Sequence, residues 1–139
     1  MLHTQPIKAP RTPQGDYISV MSRHTHSDGI TPDEAIDLTN ITHLPVLAPP
    51  ARLVGDWYKG RLGARDEQTF QEHFAPRYIE WLDAHKDEVL LLGQRALTHD
   101  VTIMCIEPTP SSGELLLCHR RLLAEECLRL VDGLTVSIK

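Results

Sequence analysis

The sequence predicts a single compact α/β domain, a mostly parallel sheet of about four strands covered by helices. Three observations carry that expectation. The segment from Val101 to Glu107 is apolar on both faces, with Val101, Ile103 and Cys105 on one side and Met104 and Ile106 on the other. Such a strand belongs in the middle of a sheet covered on both sides. Short β-rich runs alternate with helical patterns, and the order strand–helix–strand–helices–strand–helix–strand builds a parallel sheet through crossover helices. Finally, 139 residues, 41% hydrophobic and 24% charged, match one ordinary globular domain and exclude disorder throughout.

Residues 1–15 hold Pro6, Pro10 and Pro13 among polar residues and read as an extended tail, because proline blocks both helix and ladder. The domain proper is then 16–139. Tyr17 to Met21 is the first strand, a short β-rich run. A polar loop, Ser22 to Gly29, follows. Thr31 as N-cap, Pro32 at the first helical position and Glu34 three residues on mark a helix start, with Asn40 as its end. Ile41 to Leu47 is a second strand that Pro45 demotes to an edge or to no strand at all. Ala48-Pro49-Pro50 is a rigid turn. Leu53 to Gly63 is short and mixed, punctuated by Gly55, Gly60 and Gly63.

The clearest helix comes next. Phe70, Phe74, Tyr78, Trp81 and His85 recur at helical spacing and share one face, with a kink or break expected at Pro76. Six of the seven aromatics fall between Trp57 and Trp81, and core packing is their expected role. Val89–Leu92 and Ala96-Leu97 mark a further helix ending near Thr98. After the strand at 101–107, Ser111 and Glu114 form a capping box that opens a helix running to about Val131. Gly133 ends it, and Leu134–Ile138 is the last strand.

Several functional classes are excluded. No apolar run approaches the ~18 residues of a membrane span. The first residues lack the basic-then-apolar pattern of a secretory signal, and three cysteines make no disulfide framework. A reduced, cytoplasmic protein is expected. A net charge of −5 and a pI near 5.9 count against general nucleic-acid binding. The locally basic set Arg52, Lys59, Arg61 and Arg65 keeps a non-enzymatic interaction or nucleic-acid-associated module as the alternative. There is no phosphate-cradling glycine loop and no serine-hydrolase elbow, so no cofactor is expected.

Ligands of α/β sheets bind outside the carboxyl ends of the strands. Three segments meet there: Ser22-Arg23-His24, Cys105-Ile106-Glu107 and Cys118-His119-Arg120. At 100° per residue, Leu116, Leu123, Cys127, Leu130 and Val131 share one face of the last helix, with Arg120 in its middle. A buried arginine needs a carboxylate or an anionic ligand. Glu107 is the natural partner, either in a structural ion pair or in a site. Cys118 has two readings. If the helix starts at Cys118, backbone N–H groups activate the thiol as a nucleophile; if it starts at Ser111, the thiol lies in the second turn, off the apolar face. Cys105 and Cys127 read as small core residues. His24, His26, Cys105, Cys118 and His119 offer metal ligands, but in no metal-site spacing, so no metal is expected.

The run Thr102 to Glu107, followed by Cys118-His119-Arg120-Arg121-Leu122-Leu123-Ala124, resembles the bacterial family catalogued as domain of unknown function 488. In that family a hydrophobic strand ends in Cys-x-Glu, and a helix opens with Cys-His-Arg. Leu47-Ala48-Pro49-Pro50 with Leu53 and Trp57 is similar to its Leu-Ala-Pro-Ser segment and following tryptophan, and Phe70, Tyr78 and Leu82 to its Phe…Tyr…Leu helix. The likeness spans roughly Tyr17 to Leu130. It implies a compact α/β fold and a shared site at Glu107, Cys118, His119 and Arg120, and it supplies no reaction.

The expected function is a small-anion pocket for a phosphate or carboxylate, including a nucleotide-like ligand. Arg120, Arg23 and His24 are its binding residues. His119 is its proton carrier, since histidine titrates near neutrality. Glu107 orients Arg120 or acts as a general base, and Cys118 is a nucleophile or a pocket wall. In the alternative module, Glu107 and Arg120 form only a structural pair.

Overall fold

The computed structural model of the protein describes residues 1–11, 15–26, 28–106 and 117–139. Its strands are β1 (Leu2–Pro6), β2 (Asp16–Ser19), β3 (Ile41–His43), β4 (Val101–Cys105) and β5 (Val136–Ser137). They form one sheet in the order β3–β2–β4–β1–β5, and every pairing is parallel. The helices are α1 (Ala51–Tyr58), α2 (Glu67–Thr69), α3 (Ala75–Ala84), α4 (Lys86–Thr98) and α5 (His119–Leu130). The α/β class is as the sequence predicts, and β4 is the central strand, with all five residues buried.

Two expectations are corrected. Residues 2–6 are not a tail: β1 pairs with β4 from Leu2↔Val101 to Pro6↔Cys105, and with β5 through Leu2 and His3. Proline is tolerated because Pro6 is the last residue of the strand, where a missing N–H breaks no interior ladder bond. The Ile7 N–H then takes up the Cys105 carbonyl at 2.7 Å. The chain stays packed beyond β1. Ile7 is buried with Ile36 and Met104, Lys8 pairs with Asp33 at 3.0 Å, and the Arg11 guanidinium donates to the carbonyls of Asp37 and Thr39.

The helix expected from Thr31 to Asn40 does not form. The Thr31 hydroxyl donates to the Asp28 carboxylate instead of capping a helix. Thr25 and Pro32 form an antiparallel bridge. Asp33 and Asp37 accept from the N–H groups of Ala35 and Thr39, each two residues on. Such local side-chain bonds give the backbone an alternative to the helix. This segment and residues 7–11 cover one face of the sheet, over Met104. Among the described residues, the helices pack against the other face.

The helical face is built in part as the spacing predicts: Phe70, Phe74 and Tyr78 are buried, Trp81 and His85 are only partly so, and Leu82 completes the buried face. The break before Pro76 takes a specific form: Phe70–Phe74 is π-helical, and the Ala75 N–H reaches back five residues to the Phe70 carbonyl. In an α-turn the proline ring would meet the carbonyl four residues back. A wider turn relieves that clash, and Pro76 then sits in the first turn of α3. Pro45 likewise falls just beyond the edge strand β3, where it opens a 3-10 turn, Pro45–Leu47. The mixed segment after Pro50 is α1, and it buries Leu53 and Trp57.

Two helical glycines meet opposite surroundings. A Cβ on Gly93 in α4 would stand 2.6 Å from Cγ2 of Val131, so α4 and α5 approach each other through its missing side chain. A Cβ on Gly55 in α1 would meet nothing within 4 Å. Gly93→Ala is therefore expected to destabilise by about 1–3 kcal/mol through overpacking, despite alanine's better helix propensity. Gly55→Ala is expected to stabilise by about 0.5–1 kcal/mol. Thermal melts of the two variants should move in opposite directions; shifts of the same sign would refute the packing assigned to Gly93.

Candidate functional site

The segments leaving the carboxyl ends of β2 and β4, the first turn of α5 and one flank of α1 enclose a cavity of about 680 Å³. Its apolar wall includes Val54, Trp57, Phe70, Phe74, Ile106 and Leu117. Arg23, His26, Asp28, Lys59 and His119 bring titratable groups to it. An apolar cleft with a few convergent polar groups is the usual form of a small-molecule site, and this edge of a parallel sheet is the usual place.

His119 joins this cavity to the inner part of the site. It is the first residue of α5, with Cys118 at the N-cap. Its Nε2–H donates to the Val20 carbonyl at 2.9 Å, which leaves Nδ1 as the basic nitrogen of the neutral ring. Its ring stands edge-on to Tyr78, with centroids 5.8 Å apart. Tyr78 is fully buried and donates to the Leu47 carbonyl at 2.5 Å. Burial first, and the neighbouring cysteine sulfurs second, push its phenol well above the usual range, so Tyr78 is a fixed donor and not an acid.

Behind His119 lies a buried constellation. Arg120 has no solvent exposure. Its Nη1 lies 3.1 Å from the Cys105 sulfur and 3.5 Å from the Cys118 sulfur, and its Nη2 donates to the Lys139 carbonyl at 2.7 Å. The two sulfurs are 2.8 Å apart. Cys105, Cys118 and His119 also form a group whose ligand atoms all lie within 4.8 Å of one another. The third thiol, Cys127, is buried elsewhere on α5. Burial, and then Glu126, push it up to about 12, which makes it inert.

The loop after β2 is held by its own hydrogen bonds. Asp28 accepts from the Thr31 hydroxyl and from the N–H groups of Ile30 and Thr31, and these hold its carboxyl down at about 2. Arg23 lies over Gly29 and donates to its carbonyl at 3.3 Å. Gly29 has φ +73°, and a Cβ there would stand 2.7 Å from Arg23 Nη1, so glycine is required on both counts. His24 turns away from the cavity: its Nε2 lies 2.6 Å from the Ser19 hydroxyl, and its ring packs edge-on against His43.

Of the residues singled out from sequence, Arg23 and His119 line the cavity. Cys118 and Arg120 lie just behind it, facing Cys105. His24 belongs to the Ser19–His43 cluster. Glu107 lies outside the described residues, as does the capping box at Ser111 and Glu114. The helix described from His119 with Cys118 as N-cap corresponds to the first of the two readings of Cys118, but the thiol is buried against Cys105. The cationic segment is partly engaged, with Arg61 paired to Asp56 at 3.1 Å and Arg65 over the Tyr58 ring. The cavity-lining role of Lys59 and of the α1 flank was not legible in the sequence. The one available signal was Gly55, a helix-weakening residue that here leaves open space.

Comparison with protein-family models, curated proteins and solved structures finds no match. Among the described residues, no helix is long and apolar enough to cross a membrane.

Two outcomes test this geometry. Burial first, and then His43, lower the His24 pKa below 6.5. The unfolded chain therefore takes up the proton first as pH falls. This contribution to stability is complete above about 6.5 and is lost as pH drops toward the folded-state value. His24 should titrate below 6.5 by NMR, and His43→Gln should move it upward; an unchanged titration would exclude the His43 contribution. Arg120→Lys keeps the charge but loses the planar fork. It should cost about 2 kcal/mol, seen as a lowered melting temperature, and an unaltered melt would show that the guanidinium holds nothing together.

Proposed function

We propose that this protein binds a small anionic molecule, carrying a phosphate or carboxylate on an apolar body, in the cavity at the carboxyl edge of its sheet. The observation that carries this reading is the cavity itself: about 680 Å³, with Arg23, Lys59 and His119 set around an aromatic and aliphatic wall. Arg23 and Lys59 bind the anion. Arg23 is the more directional of the two, since its planar fork matches an oxyanion pair. Trp57, Phe70 and Phe74 take the apolar body. His119, its tautomer set by the Val20 carbonyl, holds or moves a proton at Nδ1. Asp28, already committed to Thr31 and Ile30, shapes the rim.

This reading moves the anion contact from Arg120 to Arg23 and Lys59. Arg120 instead supports the inner wall by tying Cys105, Cys118 and Lys139 together. The resemblance to the family of domain of unknown function 488 supports a shared site at this edge of the sheet, with Cys118, His119 and Arg120 side by side.

Phenyl phosphate and inorganic phosphate are suitable probes, followed by the Trp57 indole and His119 ring NMR signals. Phenyl phosphate is expected to saturate and to bind more tightly than phosphate. Arg23→Ala should weaken it about tenfold, the equivalent of ~1.4 kcal/mol. Lys59→Ala should weaken it less. Absence of saturable shifts in the millimolar range, or binding indifferent to both substitutions, would sink the reading.

A further inference from the structure

We propose that Cys105 and Cys118 form a two-electron thiol–disulfide couple that a small hydroperoxide oxidises, with Cys118 as the attacking sulfur and Cys105 as the resolving one. Four observations support it. The sulfurs are 2.8 Å apart, so reaching the ~2.05 Å of a disulfide needs less than about 1 Å of movement. Arg120 Nη1 lies within 3.5 Å of both sulfurs, and donors so placed stabilise negative charge on sulfur. Cys118 is the N-cap of the twelve-residue helix α5, whose partial positive charge adds to the effect. Each cysteine is also the chain neighbour of cavity-lining residues: Ile106 follows Cys105, and Leu117 and His119 flank Cys118. A molecule as small as a hydroperoxide suits sulfurs only 0% and 1% exposed.

The attacking role falls to Cys118 because it caps the helix, whereas Cys105 lies in the middle strand of the sheet. The Cys118 thiolate attacks one peroxide oxygen. An S–O bond forms, the O–O bond breaks, and the departing hydroxide (an alkoxide for an alkyl hydroperoxide) takes up the proton that the thiol released and leaves as water (or the alcohol). The Cys105 sulfur then attacks the sulfur of this sulfenic acid. The S–S bond forms, the S–O bond breaks, and the hydroxide leaves with the Cys105 proton as a second water. Two electrons pass from the sulfurs to the peroxide, and two equivalents of a small thiol return them by exchange, leaving as their own disulfide.

The same atoms offer a metal three ligands, and the Val20 carbonyl on His119 is the kind of partner that metal-bound histidines have. The redox reading fits better. Two sulfurs on one tetrahedral zinc stand about 3.8 Å apart, given ~2.3 Å Zn–S bonds. The Arg120 guanidinium also competes with a dication for the sulfur lone pairs and repels it. This inference is independent of the anion reading, because it concerns atoms behind the cavity wall and its test reads thiol chemistry alone.

The test uses the whole chain, reduced, freed of reductant and treated with hydrogen peroxide. Cleavage after Glu114 separates the two cysteines, so a joined pair of peptides reports their disulfide directly. The expected result is that pair, lost on treatment with dithiothreitol, with one thiol (Cys127) left to alkylate after unfolding. Cys118→Ala should abolish peroxide oxidation. Cys105→Ala should leave a sulfenic acid on Cys118 that a dione probe traps. If either variant fails to fold, the peptide map of the unsubstituted chain decides alone, with Cys127 as internal reference. Intact thiols after excess peroxide, oxidation without a Cys105–Cys118 bond, or a stoichiometric zinc retained through purification would each overturn the proposal.

Discussion

A guanidinium with no exposure to solvent sits where the central strand, the last helix and the end of the described chain converge. Taking such a charge out of water costs several kcal/mol unless its donors are engaged. Arg120 directs its two terminal nitrogens to the sulfur at the end of β4, the sulfur that caps α5 and the carbonyl of Lys139. The Lys139 N–H in turn donates to Thr4 in β1. One side chain thus links the end of the central strand, the start of the last helix and Lys139. The start of α5 is fixed relative to the sheet, and the orientation of His119 follows from that.

The chemistry at the carboxyl edge depends on this anchoring. His119 is held from both sides, by the Val20 carbonyl and by the edge-on Tyr78 ring. Tyr78 is itself fixed to Leu47 and to the aromatic stack that continues through Phe74 and Phe70 to Trp57. The same stack forms the apolar wall of the cavity, so the core and the site share residues. Aromatics at Trp57, Phe70 and Phe74 pack the core with one side and border the cavity with the other. Groups on rigid elements supply the precision a site requires. The loop after β2, which carries Arg23, is kept in shape by the hydrogen bonds to Asp28 and by the glycine beneath the guanidinium.

The two sides of the sheet are covered by different means. Helices close one side, where α4 and α5 meet across Gly93. Irregular chain closes the other, with Ile7 and Ile36 over Met104 and the pairs Lys8–Asp33 and Arg11–Asp37 holding it down. That difference explains why the sequence misleads in two places. A proline-containing amino-terminal segment and a segment with helix-start chemistry both serve as cover for a sheet face. For each, local propensity yields to packing and to side-chain bonds within the turn.

What the sequence determined is what local periodicity encodes. The doubly apolar run at 101–105 has only one stable location, the middle of a sheet. The spacing of Phe70, Phe74 and Tyr78 specifies a buried helical face, and Pro45 and Pro76 mark an edge and a break. An arginine on the apolar face of a helix implies a polar constellation around it. What only the tertiary structure decided depends on neighbours far away in the chain. Two cysteines thirteen residues apart face each other, because a strand end and a helix start converge there. Arg120 faces those sulfurs and lies behind the cavity wall. Arg23, expected at this edge from sequence, and Lys59, only one member of a basic run there, border one cavity, because α1 and the loop after β2 close over the same edge of the sheet. Such meetings carry no period and no motif; they arise when the elements dock.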